Sequence, residues 1–524
     1  MMRIKTLSLT NFRAFQDTQV IEFAPVTLLF GSNSVGKSTV VTSLCYLHQL
    51  LTLGDCEPRR LQLSGNKFIG GFVHLINGKD LNKTMSLKVE FDVTSANKEN
   101  GYTESLFFLN QHQDVQNDRL WQECKPLLNS VAKQATSMAV ELEVSWCTDR
   151  QMAYVSRCIT SINGQEIATL KANQAASEAT VASLQLNHPL LAVTPEQGSW
   201  LNERLGLSQA EQIRIQTRQG ALPELGQRIH AFIESRDSLL KRRVEEVFSD
   251  CIVAPLDNLT QLLSRLINIG PLRQIPDSTY TAGKFIQQSD WYSGKAGWDR
   301  LYQSNKHEID QVNQWLGGKD KLDLGYAFVF KKVFKQTQYA NDPDRFSRYT
   351  YQQIEGEKAD VALDKVVSFE HSERDAITLW DLVNDLEVAP SDIGAGISQV
   401  LPLVMASVSA QASLICCEQP ELHIHPRAQV ALGDLLTQND EKNHYLIETH
   451  SEHLVLRLLR RVRETSDDRL PEYLQNVSPN DISIMYLQGT EQGVVAKRTK
   501  ITADGDLDCD WPEGFFDERD EELF

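Results

Sequence analysis

The hydrophobic pattern of this chain changes character along its length, and the changes divide it. Residues 3–30 read as three short strands, Ile4-Lys-Thr-Leu-Ser-Leu-Thr10, Val20-Ile-Glu-Phe23 and Val26-Thr-Leu-Leu-Phe30, with a turn at Asn11-Phe-Arg-Ala-Phe15. A helix follows from Val40. Alternation at Met85-Ser-Leu-Lys-Val-Glu-Phe-Asp-Val93, Val140–Val144 and Met152–Val155 predicts further strands of the same lobe. From about 175 to 268 the period turns helical, with apolar residues at three- and four-residue steps through Pro223–Phe248. No heptad pattern is sustained, which excludes a long coiled-coil arm. Residues 269–390 mix a loop at Ile269–Pro276, a helix near 306–316 and strands near 326–335 and 348–354. Past Leu386 come an apolar helix, a buried strand at Ala412–Cys417 and another short strand from Tyr445. The expected segments are 1–170, a helical insertion at 171–268, a mixed α/β insertion at 269–385, and 386–524, with both chain ends building one head.

The chemistry begins where the third strand ends. Gly31-Ser-Asn33-Ser34-Val-Gly36-Lys37-Ser38-Thr39 is a P-loop in the required order of strand, Gly-rich turn and helix. Gly31 and Gly36 let the backbone wrap close to phosphate, so that successive N–H groups point inward at a helix N-terminus. Lys37 reaches the β- and γ-phosphates in such a loop, and the Ser38 hydroxyl is placed for Mg²⁺. The pattern predicts binding of a nucleoside triphosphate.

The rest of the site is expected far along the chain. Ala412-Ser-Leu-Ile-Cys-Cys-Glu418-Gln419-Pro-Glu421 is a buried strand tipped with acids, followed through His423-Ile-His425-Pro426 by a helix. Glu418 is the candidate to hold Mg²⁺ opposite Ser38. Tyr445-Leu-Ile-Glu-Thr-His450-Ser451 delivers a histidine to another strand end, which suits a contact to the γ-phosphate. Gly394-Ala-Gly396-Ile-Ser398-Gln399 opens the helix before the Glu418 strand and offers a second phosphate-binding element.

Composition narrows the class. The formal net charge of −18 argues against a protein that coats nucleic acid by bulk attraction, although a local basic groove for DNA stays open. Much of the excess sits in the Asp504–Phe524 tail. Nine scattered cysteines without a CxxC pair give neither a disulfide scaffold nor a zinc ribbon. No apolar run approaches a membrane span, and the start reads as a strand, so a cytoplasmic protein is expected.

The order of P-loop, Gly-rich signature, acid-tipped strand and switch histidine resembles the ATP-binding-cassette (ABC) heads of the SMC/RecF/Rad50 superfamily. Asn11-Phe-Arg13 resembles a turn common there. More narrowly, the GxGxSQxLP, EQPELHxHP and ETHSEHL runs and the Trp511-Pro-Glu-Gly-Phe-Phe ending resemble bacterial AAA-type ATPases related to the overcoming-lysogenization-defect (OLD) ATPases. In that family the Gly-Pro-Leu-Arg273 segment also recurs. The resemblance covers roughly 1–90 and 265–524. It implies an α/β ABC-type ATPase head, a mixed β lobe plus P-loop α/β core, carrying a largely helical insertion. It also implies a homodimer or higher oligomer, with ATP and Mg²⁺ between the P-loop of one head and Gly394, Gly396, Ser398 and Gln399 of the other. Lys37, Ser38 and Glu418 then hold triphosphate and metal, His450 senses the γ-phosphate, and Arg13 lies near the nucleotide.

The departure is at Gln419. Most cassette heads carry a glutamate there to polarise the attacking water. Glutamine cannot take the proton, though it can orient water. Glu421 is the other candidate for that task, with capping of the following helix as its structural alternative. Slow hydrolysis and a long-lived closed state are expected. The stretch Gly70-Gly-Phe-Val-His74, where a Q-loop glutamine belongs, has none.

Three readings compete. The leading one is a regulatory ATPase that controls a separately encoded effector, a nuclease in phage defence by family analogy. The second is a DNA-repair or chromosome-associated head that grips DNA through Lys331–Lys335 or Arg457, Arg460, Arg461 and Arg463. The third, a metal enzyme built on His423 and His425, lacks further ligands at sensible spacing. An intrinsic Toprim nuclease is not expected. Too little chain follows His450, and Asp504-Gly reads as a hairpin turn.

Overall fold

A computed structural model describes residues 2–93, 135–173, 178–185, 213–233, 248–276, 282–336, 348–353, 373–409, 414–438 and 443–508, with isolated positions between them. The strands used below are β1 (Arg3–Thr10), β2 (Gln19–Glu22), β3 (Val26–Gly31), β4 (Met85–Asp92), β5 (Ser137–Cys147), β6 (Met152–Ile162), β7 (Gln165–Ala172) and β8 (Ala179–Leu184). They continue as β9 (Ile267–Ile269), β10 (Tyr326–Gln336), β11 (Arg348–Gln353), β12 (Glu373–Asp381), β13 (Leu386–Val388), β14 (Leu414–Glu418), β15 (His444–Glu448), β16 (Ile482–Thr490) and β17 (Gly493–Thr499). The helices are α1 (Lys37–Leu53), α2 (Ala254–Ser264), α3 (Lys295–Gln303), α4 (Lys306–Gly317), α5 (Ala395–Ser409), α6 (Pro426–Thr437) and α7 (Glu452–Ser466).

A six-stranded sheet forms the centre, in the order β9-β14-β15-β3-β16-β17. Its first five strands are parallel, and only β17 turns back, pairing antiparallel with β16. The sheet therefore joins strands from both chain ends, as expected. Its strands are apolar on both faces because each face is covered. Leu29, Cys416, Leu446 and Met485 pack into a core with α1, α2 and the N-terminal lobe. Leu28, Phe30, Cys417, Ile447 and Tyr486 point the other way, onto α5, α6 and α7.

The N-terminal lobe is a nine-stranded antiparallel sheet. It runs from the two-residue strands Ala231–Phe232 and Arg214–Ile215 through β8, β7, β6, β5, β4 and β1 to β2. β1 and β4 alternate buried and half-exposed positions, which is why their period was legible in the sequence. A third sheet, β11-β10-β12-β13, is antiparallel and packs on α4, where Asn313 exchanges two 2.7 Å bonds with the Phe328 backbone.

The helical expectation for 171–268 needs correction. The described part contains β8 and the small strands at 214–215, 217–219, 222–223 and 231–232, with α-helical positions at 241, 245 and 248 and a π-helical turn at Ser249–Val253 leading into α2. The segment extends the lobe sheet, and pairing at that sheet's edge overrides its three- and four-residue apolar steps. Much of 234–247 lies outside the described residues, as do the side chains of Lys331 and Lys335 and the tail from 509. The turn expected at Asp504 is present, with Gly505 at φ 71° and Ile501 bridging Leu507. The whole is a mixed β lobe joined to an α/β core in which the P-loop strand β3 is central, the architecture expected from the sequence.

Candidate functional site

β3 ends at Gly31 and α1 begins at Lys37, so the P-loop spans the gap between sheet and helix. Gly31 has φ +141°, and a Cβ there would lie 2.3 Å from the Leu487 carbonyl oxygen of neighbouring β16. Only glycine permits that approach. Gly36 is the N-cap of α1 in the left-handed region. Ser32, Asn33 and Ser34 are exposed, Ser38 is half-buried, and Thr39 is buried in the first helical turn. Lys37 is buried and folds back over the loop. Its Nζ donates to the carbonyls of Gly31 and Ser32, each at 2.9 Å, and lies 4.0 Å from Glu448 Oε1. Burial lowers the Lys37 pKa, while Glu448 and Glu421 oppose that shift.

The Asn11–Phe15 turn sits beside this loop. Asn11 and Arg13 both adopt positive φ. The Arg13 N–H donates to Leu75 O at 2.6 Å, and its carbonyl accepts from Asn77 Nδ2 at 2.7 Å. Ala14 Cβ is within ordinary contact of a Cβ built on Gly36. Arg13 is half-buried, and burial depresses its pKa.

Strand order brings the distant acids to the loop. β15 lies directly between β3 and β14, and Glu448 at its tip is in register with Glu418 on one side and Leu29 on the other. Two carboxylates thus stand at adjacent parallel strand ends beside Lys37. Burial raises the pKa of Glu418, against the charges of Lys67 and Arg273. Glu448 is pushed up to about 7, first by burial and then by the Glu418 charge, with Lys37 opposing. Burial lowers the His450 pKa, and the Lys37 charge lowers it further, so a neutral imidazole stands at this edge near neutral pH.

The loop after β14 is pinned to the loop after β15. Gln419, at φ 46°, donates its N–H to Glu448 O at 2.7 Å. Glu421 is buried and accepts the His450 N–H on Oε1 at 2.7 Å. The capping alternative for Glu421 is therefore corrected. α6 is capped by His425, whose Nδ1 accepts from Arg427 N, and Pro426 fixes the first helical residue. His423, at φ 60°, shapes the preceding turn. Ser451 caps α7 and also donates to Gln429 at 2.8 Å.

Arg273, buried behind this edge, ties three elements together. It donates to Gln399 O at 2.9 Å, Gln399 Oε1 at 3.3 Å, Gln419 O at 3.4 Å, Cys417 Sγ at 3.1 Å and Glu418 O at 2.5 Å. Gln399 returns a 3.3 Å bond to the Arg273 carbonyl. Within one head the signature residues therefore divide. Gln399 faces inward because a buried guanidinium requires acceptors. Ser398 is fully buried, with no hydrogen-bond partner for its Oγ among the described residues. The accessible part of the signature is the backbone at Gly394 and Gly396. A Cβ on Gly396 would come within 3.1 Å of His423 O, so the start of α5 packs on the turn after the acid strand.

Sequence reasoning had missed Glu448, which is an acid two residues before His450 on a strand tip. It had cited Arg273 only as part of a family resemblance. The exposed Lys67 adds positive charge felt by Glu418 and Glu448. Tyr292 also borders the acids. Burial first, then the Glu418 charge, raises its pKa to about 12.

The donor set suits Mg²⁺. Ser38 and Glu418 offer hard oxygen ligands, with Glu448 in register beside Glu418. Among the described residues no group of three or more His, Cys, Asp or Glu forms a protein-only cage. Mg²⁺ is commonly held by one or two protein oxygens together with substrate phosphates, and supplies charge neutralisation at those phosphates.

Comparison with known proteins agrees with this geometry. Residues 2–149 match the AAA ATPase domain, and residues 286–457 match a domain described as "AAA domain, putative AbiEii toxin, Type IV TA system". Residues 477–524 match a protein family of unknown function, DUF3696. No curated protein matches the chain. Solved structures similar to it include the SMC head domain from Thermotoga maritima, at 9% identity and TM-score 0.36, covering 95% of this chain and all of that one. Another is the Smc head domain with an extended coiled coil bound to the C-terminal domain of ScpA, from Pyrococcus furiosus, at 9% identity and TM-score 0.37, covering 95% and 97%. Likeness at that level adds nothing to the strand order already described. The two AAA matches cover the P-loop half and the acid-strand half of the site, and they support an ATPase of the AAA type.

Proposed function

We propose that this chain is an OLD-related regulatory ATPase. ATP-dependent pairing of its heads controls a separately encoded effector, a nuclease acting in antiphage defence in the cytoplasm. One observation carries the reading of the site: β3, β15 and β14 are adjacent and parallel, which sets Lys37, Glu448 and Glu418 on one ligand-facing edge. The loop N–H groups and Lys37 bind the triphosphate, Ser38 and Glu418 hold the Mg²⁺, and neutral His450 contacts the γ-phosphate. The Gly394–Gly396 backbone of a second head completes the site. Gln419 leaves the usual base position without a carboxylate, so turnover is slow and the paired state is long-lived.

The alternative, direct clamping of DNA, loses its best basic cluster. Arg460 and Arg461 pair with Glu464, Arg457 and Arg461 with Asp434, and Arg463 with Asp506. Arg457 and Arg461 are largely buried in these pairs, and the exposed Arg460 and Arg463 each have an acidic partner that weakens their pull on phosphate. The test is to purify the chain with the products of its neighbouring genes and to measure phosphate release and DNA cleavage, with and without Lys37→Ala. ATP-dependent cleavage that needs a neighbour supports the proposal. Cleavage by the chain alone, or cleavage indifferent to Lys37, contradicts it.

A further inference from the structure

We propose that Glu448 is the catalytic base of the site, holding and deprotonating the attacking water where residue 419 cannot. The inference rests on the ATPase reading above. Its first support is position. Glu448 occupies the tip of the one strand that lies between the P-loop strand and the Glu418 strand. Its Oε1 is 4.0 Å from the Nζ of Lys37, the group that reaches the terminal phosphates. Its Oε2 is buried and has no hydrogen-bond partner among the described residues, which leaves lone pairs to accept from a water.

The second support is elimination among the neighbouring groups. Gln419 has no basic atom, and its backbone is fixed by the bond to Glu448 O. Glu421 has one oxygen taken by the His450 N–H and the other buried without a partner among the described residues, but unlike Glu448 it forms no ion pair with Lys37. Glu418 is the metal-holding acid. The Glu448 side chain keeps 13% exposure, enough to meet substrate from the loop side.

In the step, the water oxygen bonds to the γ-phosphorus as one water proton passes to the Glu448 carboxylate. The bond from the γ-phosphorus to the β,γ-bridging oxygen breaks, and its electron pair leaves with ADP. Glu448 then returns the proton to solvent.

The experiment compares wild type, Glu448→Gln and Glu448→Asp in the full-length protein, with Mg²⁺–ATP. Equilibrium binding is read with a fluorescent ATP analogue, and turnover by phosphate release. Glu448→Gln should bind within about threefold of wild type and lose roughly 100-fold or more in kcat, the usual scale for removing a general base. Glu448→Asp, which keeps the charge but withdraws it, should lose about tenfold in kcat with KM little changed. It carries the test if the glutamine variant does not fold. Turnover of either variant within about threefold of wild type overturns the proposal. So does a Glu421→Gln variant that binds ATP yet loses more turnover than Glu448→Gln. A wild-type protein that binds no ATP overturns the ATPase reading itself, a result distinguishable because binding is measured separately.

Discussion

Replacing Arg273 by methionine should loosen the head from within. The guanidinium is 5% exposed and is the shared donor for α5, the tip of β14 and the loop that follows it. Methionine keeps much of the stem's volume and removes every donor. Two acceptors at short range, the buried Gln399 O at 2.9 Å and the part-buried Glu418 O at 2.5 Å, would lose their charged donor. Stranding each costs about 1–3 kcal/mol. The longer contacts add less, and removal of a buried charge returns part of the desolvation cost. A net loss of about 3 kcal/mol follows from these opposing effects. Urea unfolding followed by tryptophan fluorescence reads it, since Trp298 lies on α3, packed against α5. Arg273→Lys should fall between, because an ammonium cannot span the same fork of acceptors. A loss below about 1 kcal/mol for the methionine variant would refute the claim that these bonds hold the signature helix to the acid strand.

Other outcomes are equally definite. Lys37→Ala should weaken ATP binding by about 100-fold, as expected for losing a charged donor to phosphate, in the same fluorescence assay. Arg461→Ala breaks a buried pair with Asp434, both side chains under a tenth exposed, and should destabilise by about 3–5 kcal/mol in urea. Two titrations oppose each other. Glu448, raised from 4.5 to about 7, retains a proton that the unfolded chain has lost, so its contribution falls as pH rises between those values. His444, depressed from 6.5 to about 4 mainly by burial, does the reverse, and its contribution is lost as pH falls through that window. Each amounts to at most about 3 kcal/mol. Nucleotide-free urea midpoints should therefore rise with pH in Glu448→Gln and fall with pH in His444→Gln. Parallel profiles for the two variants would contradict both shifts.

Much of this was legible in the sequence because it is local. The P-loop is contiguous, so strand, turn and helix could be read together, and Glu418 and His450 betray themselves as polar tips on short apolar strands. What could not be read depends on contacts across the chain. Glu448 matters because β15 is inserted between β3 and β14, an order no single segment specifies. Ser398 and Gln399 read as part of a phosphate-binding element, and nothing in the sequence signals that a guanidinium 126 positions earlier draws Gln399 inward. The lobe strands at 214–232 fit a helical period, yet sheet pairing set their form. Glu421 fits a helix cap by spacing, while Pro426 starts the helix later and frees the carboxylate to bind the His450 backbone.

The central claim is that ATP held by Lys37 brings two heads together. The molar mass of the purified chain, measured by light scattering with ADP, with Mg²⁺–ATP and for Lys37→Ala, tests it most directly. A mass that doubles only for the wild type with ATP is the predicted result. A mass independent of nucleotide, or one that doubles without Lys37, would contradict it.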